Sequence, residues 1–149
     1  MPKQQLYAWA SLGSSIAFAG LYIIFVIGTP FLTEPVRGGA TEVFLWIVGI
    51  SFLIELLLDL GSGRDRVDAD ERDRLIAGRA FKVGFHVFTV VLVMLIGHLF
   101  VFDFFNGIED AQELADRQRS LAIHIAVLGF LAAHAAKSGT QTYLYGRGA

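Results

Sequence analysis

Four apolar stretches, almost free of charge, dominate the chain at about 6–28, 43–60, 81–105 and 121–143. A helix needs about 20 predominantly apolar residues to cross a hydrocarbon core about 30 Å thick, since each residue rises about 1.5 Å. Lipid accepts such surface provided the backbone satisfies its own hydrogen bonds, which a helix does. The pattern predicts an all-α fold, an integral membrane four-helix bundle. Of the 149 residues, 54% are hydrophobic and 13 are Phe. Four spans and their connections occupy this length as a single transmembrane domain, without room for a separate soluble domain of about 100 residues.

The absence of cysteine excludes disulfides, thiolate metal sites, cysteine nucleophiles, thioether haem attachment and palmitoylation. A net charge of −2 gives no overall attraction to nucleic acid. The basic loop at 61–80 is interleaved with Asp65, Asp68, Asp70, Glu71 and Asp73, which makes it a poor polybasic lipid patch or direct nucleic-acid binder. Near the N-terminus, Ala17-Phe18-Ala19 has the small-x-small look of a signal-peptide cleavage site. The apolar run continues through Leu21–Ile27, however, so the first stretch reads as a retained helix.

Charge placement sets the expected orientation. One side collects Lys3, Arg64, Arg66, Arg72, Arg74, Arg79, Lys82, Lys137 and Arg147; the other collects Arg37, Arg117 and Arg119. The excess predicts both termini and the 61–80 loop in the cytoplasm of a cell with an inner (plasma) membrane. The first span should end near Gly28-Thr29-Pro30, because proline cannot continue a helix. Gly13, Ala17 and Gly20 share a small-residue face on it that predicts close helix approach. Thr41 and Glu42 suit the start of the second helix. Asp68–Arg72 and Asp70–Arg74 are acid-before-base pairs at i,i+4, so the third helix should begin near Asp70 in the cytoplasm and run unbroken into the membrane. After the Asn106-Gly107 turn, Glu109 and Asp110 favour a helix N-terminus, and the polar run 111–120 predicts a fourth helix that starts outside the membrane. Ala122, Ala126, Gly129 and Ala133 form a small-residue stripe typical of a helix–helix interface, within the bundle or between copies of a homodimer.

Ionisable groups at membrane depth are expensive and default to functional candidates. Glu55 and Asp59, Lys82 and His86, and His134 and Lys137 are each spaced i,i+4 or i,i+3, so each pair shares a helical face at the cytoplasmic half. One reading is a structural ion-pair cluster, with Lys82 and Lys137 snorkelling to the interface. A second is a proton- or cation-coupled pathway in which Glu55 titrates. A third is a divalent-metal site of two histidines and two carboxylates, without the usual ligand spacings to support it. A fourth is b-type haem held by His86 with His134, or by His98 with His124. At about 100° per residue, the histidines of one helix cannot both aim at one neighbour, which leaves room for one haem at most.

The run Asp70-Glu71-Arg72-Asp73-Arg74-Leu75-Ile76, then Arg79-Ala80, and the tail Ala136-Lys137-Ser138-Gly139-Thr140-Gln141-Thr142-Tyr143-Leu144-Tyr145-Gly146-Arg147-Gly148 carry a resemblance. They resemble a family of small four-span prokaryotic membrane proteins of unknown function. The resemblance covers about residue 66 to the C-terminus and implies the four-helix topology but no activity. It also implies, by analogy, a soluble partner such as a small helix-turn-helix regulator. The expected function is therefore a non-enzymatic accessory, scaffold or regulatory protein, with Asp70, Glu71, Arg72, Asp73 and Arg74 as its cytoplasmic motif and no obligatory cofactor. The alternatives are a small transporter or channel using the intramembrane cluster, then a haem or metal redox protein.

Overall fold

The computed structural model describes residues 3–26, 71–105 and 110–147, together with ten residues between 46 and 60. It is all-helical, with no strand among the described residues. Helix α1 is Lys3–Phe25, α2 comprises the helical residues within 46–60, α3 is Glu71–Phe105 and α4 is Ala111–Gly146. Three of them, α1, α3 and α4, are long and apolar enough to cross a membrane.

Helix lengths follow from where polarity changes and where caps stand. At about 1.5 Å per residue, the 35 residues of α3 and the 36 of α4 reach beyond 50 Å, well past one hydrocarbon core. The surplus lies at opposite ends. The charged turns 71–82 extend α3 ahead of its apolar part, and the polar turns 111–120 extend α4 ahead of its own. Asp110 caps α4: its side chain accepts from the backbone N–H of Gln112 at 2.8 Å and of Glu113 at 3.4 Å, satisfying donors that a first turn leaves unpaired. Glu113–Arg117 at 2.8 Å and Asp116–Arg119 at 3.6 Å then support the solvated turns. The helix runs to Gly146, a turn beyond the expected span, and closes with the Arg147 N–H donating to the Tyr143 carbonyl at 3.1 Å. The start of α3 at Glu71 agrees with the expected extension. Thr41, Glu42, Asp68, Asp70 and Glu109 lie outside the described residues.

Helix α4 is the centre of the bundle, with α1 and α3 packed on different faces of it. Its contacts with α3 pair residue 84 with 133 and 137, and 91 with 129, so the two run antiparallel. Its contacts with α1 pair Ser11 with Ser138 and Tyr22 with His124, again antiparallel. Helices α1 and α3 therefore run parallel to each other.

The α1 contact departs from the expected small-residue packing. Gln4, Ala8, Ser15, Tyr22 and Val26 are buried, a stripe at i, i+4, i+11, i+18 and i+22 that faces α4. Gly13, Ala17 and Gly20 lie on the opposite side; a Cβ at Gly13 or Gly20 would touch nothing within 4 Å. Hydroxyl and amide groups need partners in a dry interior, so the polar face turns inward and the small face is left to the surroundings. On α4 the expected stripe is half right. Gly129 and Ala133 are buried against α3, while Ala126 is exposed. Most large apolar side chains of α3 point away from the protein; Phe100 is 74% and Val93 64% exposed. That distribution suits lipid and would be costly in water.

Candidate functional site: an aromatic cleft with two basic side chains

At the end of the bundle where α3 begins and α4 finishes, α2, α3 and α4 enclose an open-sided cavity of about 390 Å³. Phe52 and Leu56 of α2 form one wall. Phe81, Phe85 and Phe88 of α3, at i, i+4 and i+7, form the second. The third comes from α4, with Phe130 and Ala133 beside the two polar lining residues, His134 and Lys137. Between the second and third walls the helices touch at Gly84. A Cβ there would fall 2.9 Å from the Lys137 Cβ and 3.1 Å from the Ala133 carbonyl oxygen. The missing side chain of Gly84 brings the Lys137 stem against α3. The rings of Phe130 and His134 lie 4.5 Å apart, tilted by 47°, so the imidazole forms part of the aromatic wall.

The intramembrane cluster expected from the sequence is thus divided. His134 and Lys137 share the cavity. Lys82 and His86 share another face of α3, both exposed, with the His86 Nδ1–H donating to the Lys82 carbonyl at 2.5 Å. His86 therefore does not join His134. Glu55 and Asp59 lie outside the described residues.

The remaining histidines also have partners other than those expected. His124 Nδ1 meets the Tyr22 hydroxyl of α1 at 2.9 Å, their rings edge-to-face at 5.7 Å and 76°. His98 Nε2–H donates to the Gln118 carbonyl at 3.3 Å, and the Gln118 side-chain amide donates back to the Leu99 carbonyl at 2.9 Å. The expected His98–His124 pairing fails because His124 faces α1, on the side of α4 away from α3. Among the described residues, no group of three or more His, Asp or Glu could hold a metal ion. Two polar contacts, Tyr22–His124 and Ser11–Ser138 at 2.8 Å, instead lock α1 to α4 at two levels about three turns apart. Among the described residues, every buried polar side-chain atom has a partner. Sequence reasoning missed both contacts and the cleft. The only available signal was the Phe81, Phe85, Phe88 spacing, which reads equally well as lipid-facing surface.

The motif turns are solvated. Glu71, Arg72 and Arg74 are exposed and Asp73 is half-buried, while Ile76 and Ala80, one and two turns on from Arg72, are buried. Taken together, these features describe a helical membrane protein with polar contacts that join α1 to α4 and an aromatic cleft beside α3 and α4. No protein-family model, no curated protein and no solved structure matches the chain.

Proposed function

We propose that this is a four-span inner-membrane bundle, with both termini cytoplasmic, that acts as a non-enzymatic accessory or scaffold for a soluble partner. The observation that carries this reading is the unbroken run of α3 from its apolar part back to Glu71, which presents Glu71, Arg72 and Arg74 on exposed helix. Twelve residues at about 1.5 Å each hold these charges up to about 18 Å from the first apolar turn, beyond the headgroups. Four spans are supported by direction. Helices α1 and α3 are parallel, so the chain between 26 and 71 must return from one end of the bundle to the other. The charge excess supports cytoplasmic ends. Asp70 belongs to this motif by sequence, and a small helix-turn-helix regulator is the partner that the family resemblance favours. The outward Gly13, Ala17 and Gly20 face of α1, exposed at Gly13 and Ala17 and half-buried at Gly20, offers the place for a second copy in a homodimer.

A photo-crosslinking residue at Leu75, which is 58% exposed, tests docking in living cells. A discrete protein adduct is expected that disappears when Arg72 and Arg74 are both reversed to Glu. An adduct unaffected by that reversal overturns the docking role of the motif.

A second reading, a small transporter or channel, is favoured by one observation: His134 and Lys137 line the same membrane-depth cavity. Glu55 and Asp59 would supply its acidic groups. A pH-driven flux in liposomes that Glu55→Gln abolishes supports it, and a flux untouched by that change removes Glu55 as the coupling group.

A further inference from the structure

We propose that the outward face of α3 at the membrane boundary binds the phosphate of an anionic glycerophospholipid, held by Arg79 and Lys82 with the His86 imidazole at the inner edge of the site. The inference needs α3 to cross the membrane and does not depend on the docking role of its charged turns. The acids that dilute the basic loop end at Asp73, and from Arg74 to Phe102 the chain carries none. Arg79, Lys82 and His86 follow at i, i+3 and i+7, on successive turns of one face. At about 100° per residue, they lie about 140–160° around α3 from Gly84, which touches α4. All three are exposed. Val90, Val93 and Phe100 continue the same side deeper into the apolar part, and they are exposed too. Side chains on a helix lean toward its N-terminus, which for α3 is the headgroup end. His86 shows this lean: its Nδ1–H donates to the Lys82 carbonyl, which draws the ring back toward Lys82. Seven residues from Arg79 to His86 rise about 10 Å, close to the depth of one headgroup layer, about 5–8 Å. A lipid lying along α3 thus meets cations at the level of its phosphate and apolar side chains at the level of its acyl tails.

The cations at the other end of the bundle are arranged differently. Arg117 and Arg119 pair with Glu113 and Asp116, whereas among the described residues Arg79 and Lys82 have no acidic partner. A guanidinium and an ammonium one turn apart offer charge-assisted bonds to phosphate oxygens, roughly twice as strong as neutral ones. Other occupants fit less well. A neutral lipid forgoes those bonds, and phosphatidylcholine brings its own cation to compete for its phosphate. Free phosphate or a soluble polyanion has nothing to lay against Val90, Val93 and Phe100. A second protein helix on this face would take the basic groups out of water, which is unfavourable unless it brings acids to match them.

The test uses the full chain purified in a non-ionic detergent, titrated with palmitoyl-oleoyl phosphatidylglycerol, the matching phosphatidylcholine and inorganic phosphate. Native mass spectrometry counts the bound lipid, and thermal unfolding follows its effect. Phosphatidylglycerol should be retained at one per chain, at least tenfold more tightly than phosphatidylcholine, and should raise the melting temperature. A basic residue near an anionic surface contributes about fivefold in affinity. Arg79→Gln and Lys82→Gln should therefore each weaken phosphatidylglycerol by that factor, leaving phosphatidylcholine binding and the lipid-free melting temperature unchanged. Lys82→Arg should retain binding. Arg147→Gln removes a cation at the same end of the bundle, on α4 and stacked over the Tyr143 ring, and should change nothing. Four results would each overturn the proposal: equal binding of the two lipids, binding indifferent to Arg79→Gln combined with Lys82→Gln, an equal loss from Arg147→Gln, or displacement of the lipid by millimolar inorganic phosphate.

Discussion

Among the described glycines, Gly129 carries the tightest packing. A Cβ built there falls within 3.0 Å of three side-chain atoms of Val91, so α3 and α4 approach closely because nothing projects from α4 at that level. Replacing Gly129 with Val should therefore cost about 1–3 kcal/mol through overpacking. Gly97 on the same α3 has nothing within 4 Å of its Cβ position. Gly97→Ala should instead be neutral or stabilise by up to about 1 kcal/mol, because Gly is a poor helix former. Unfolding in mixed micelles should give the two variants opposite signs; a shared sign would refute the assignment of the α3–α4 contact. The Tyr22–His124 hydrogen bond is the comparable polar case. Interhelical hydrogen bonds in membranes contribute about 0.6 kcal/mol on average and up to about 1.7 kcal/mol, so Tyr22→Phe should destabilise within that range. An unchanged stability would show that the ring contact, which Phe keeps, dominates over the hydroxyl.

Among the elements, α1 shows most clearly what could and could not be read in advance. Its existence follows from an apolar run too long for a signal peptide. Its inward face does not, because two candidate faces compete. Gly13, Ala17 and Gly20 obey the small-residue rule, whereas Gln4, Ser11, Ser15 and Tyr22 obey the requirement that buried polar groups be satisfied. The second wins here because α4 offers Ser138 and His124 at matching heights, a long-range pairing that no local window contains. The same reason hid the division of the cluster. Spacing put Lys82 with His86 and His134 with Lys137, but the rotation of α3 that separates the two pairs is set by Gly84 and Gly129. A cysteine pair at Ser11 and Ser138, whose hydroxyls stand 2.8 Å apart, should cross-link readily under mild oxidation. A pair at Gly13 and Ser138 should not, since Gly13 faces the other way. Cross-linking of both pairs with equal ease would mean that α1 rotates freely about its axis. Gly13→Leu with Gly20→Leu extends the argument to the outer face: the monomer should keep its stability while any homodimer is lost.

For the whole molecule, the absence of native cysteine makes sidedness directly measurable. The apolar stretches determine how much of the chain is in lipid, and the helix directions determine which ends coincide. The start of α3 and the end of α4 lie together at one end of the bundle, with the start of α1. The start of α4, with its Glu113–Arg117 pair, lies at the other. Single cysteines at Arg72, Arg147 and Arg117 replace exposed residues and report on these ends without disturbing buried contacts. In intact spheroplasts, a membrane-impermeant maleimide should label the Arg117→Cys variant and spare the other two until the membrane is permeabilised. Labelling of Arg72→Cys and Arg117→Cys from the same side would contradict a membrane crossing by α3 and α4. The reverse pattern would keep the crossings by α3 and α4 but invert them, and would place the charged turns of α3 away from any cytoplasmic partner. Direction and charge make separate demands on the same three positions. Only one labelling pattern satisfies both.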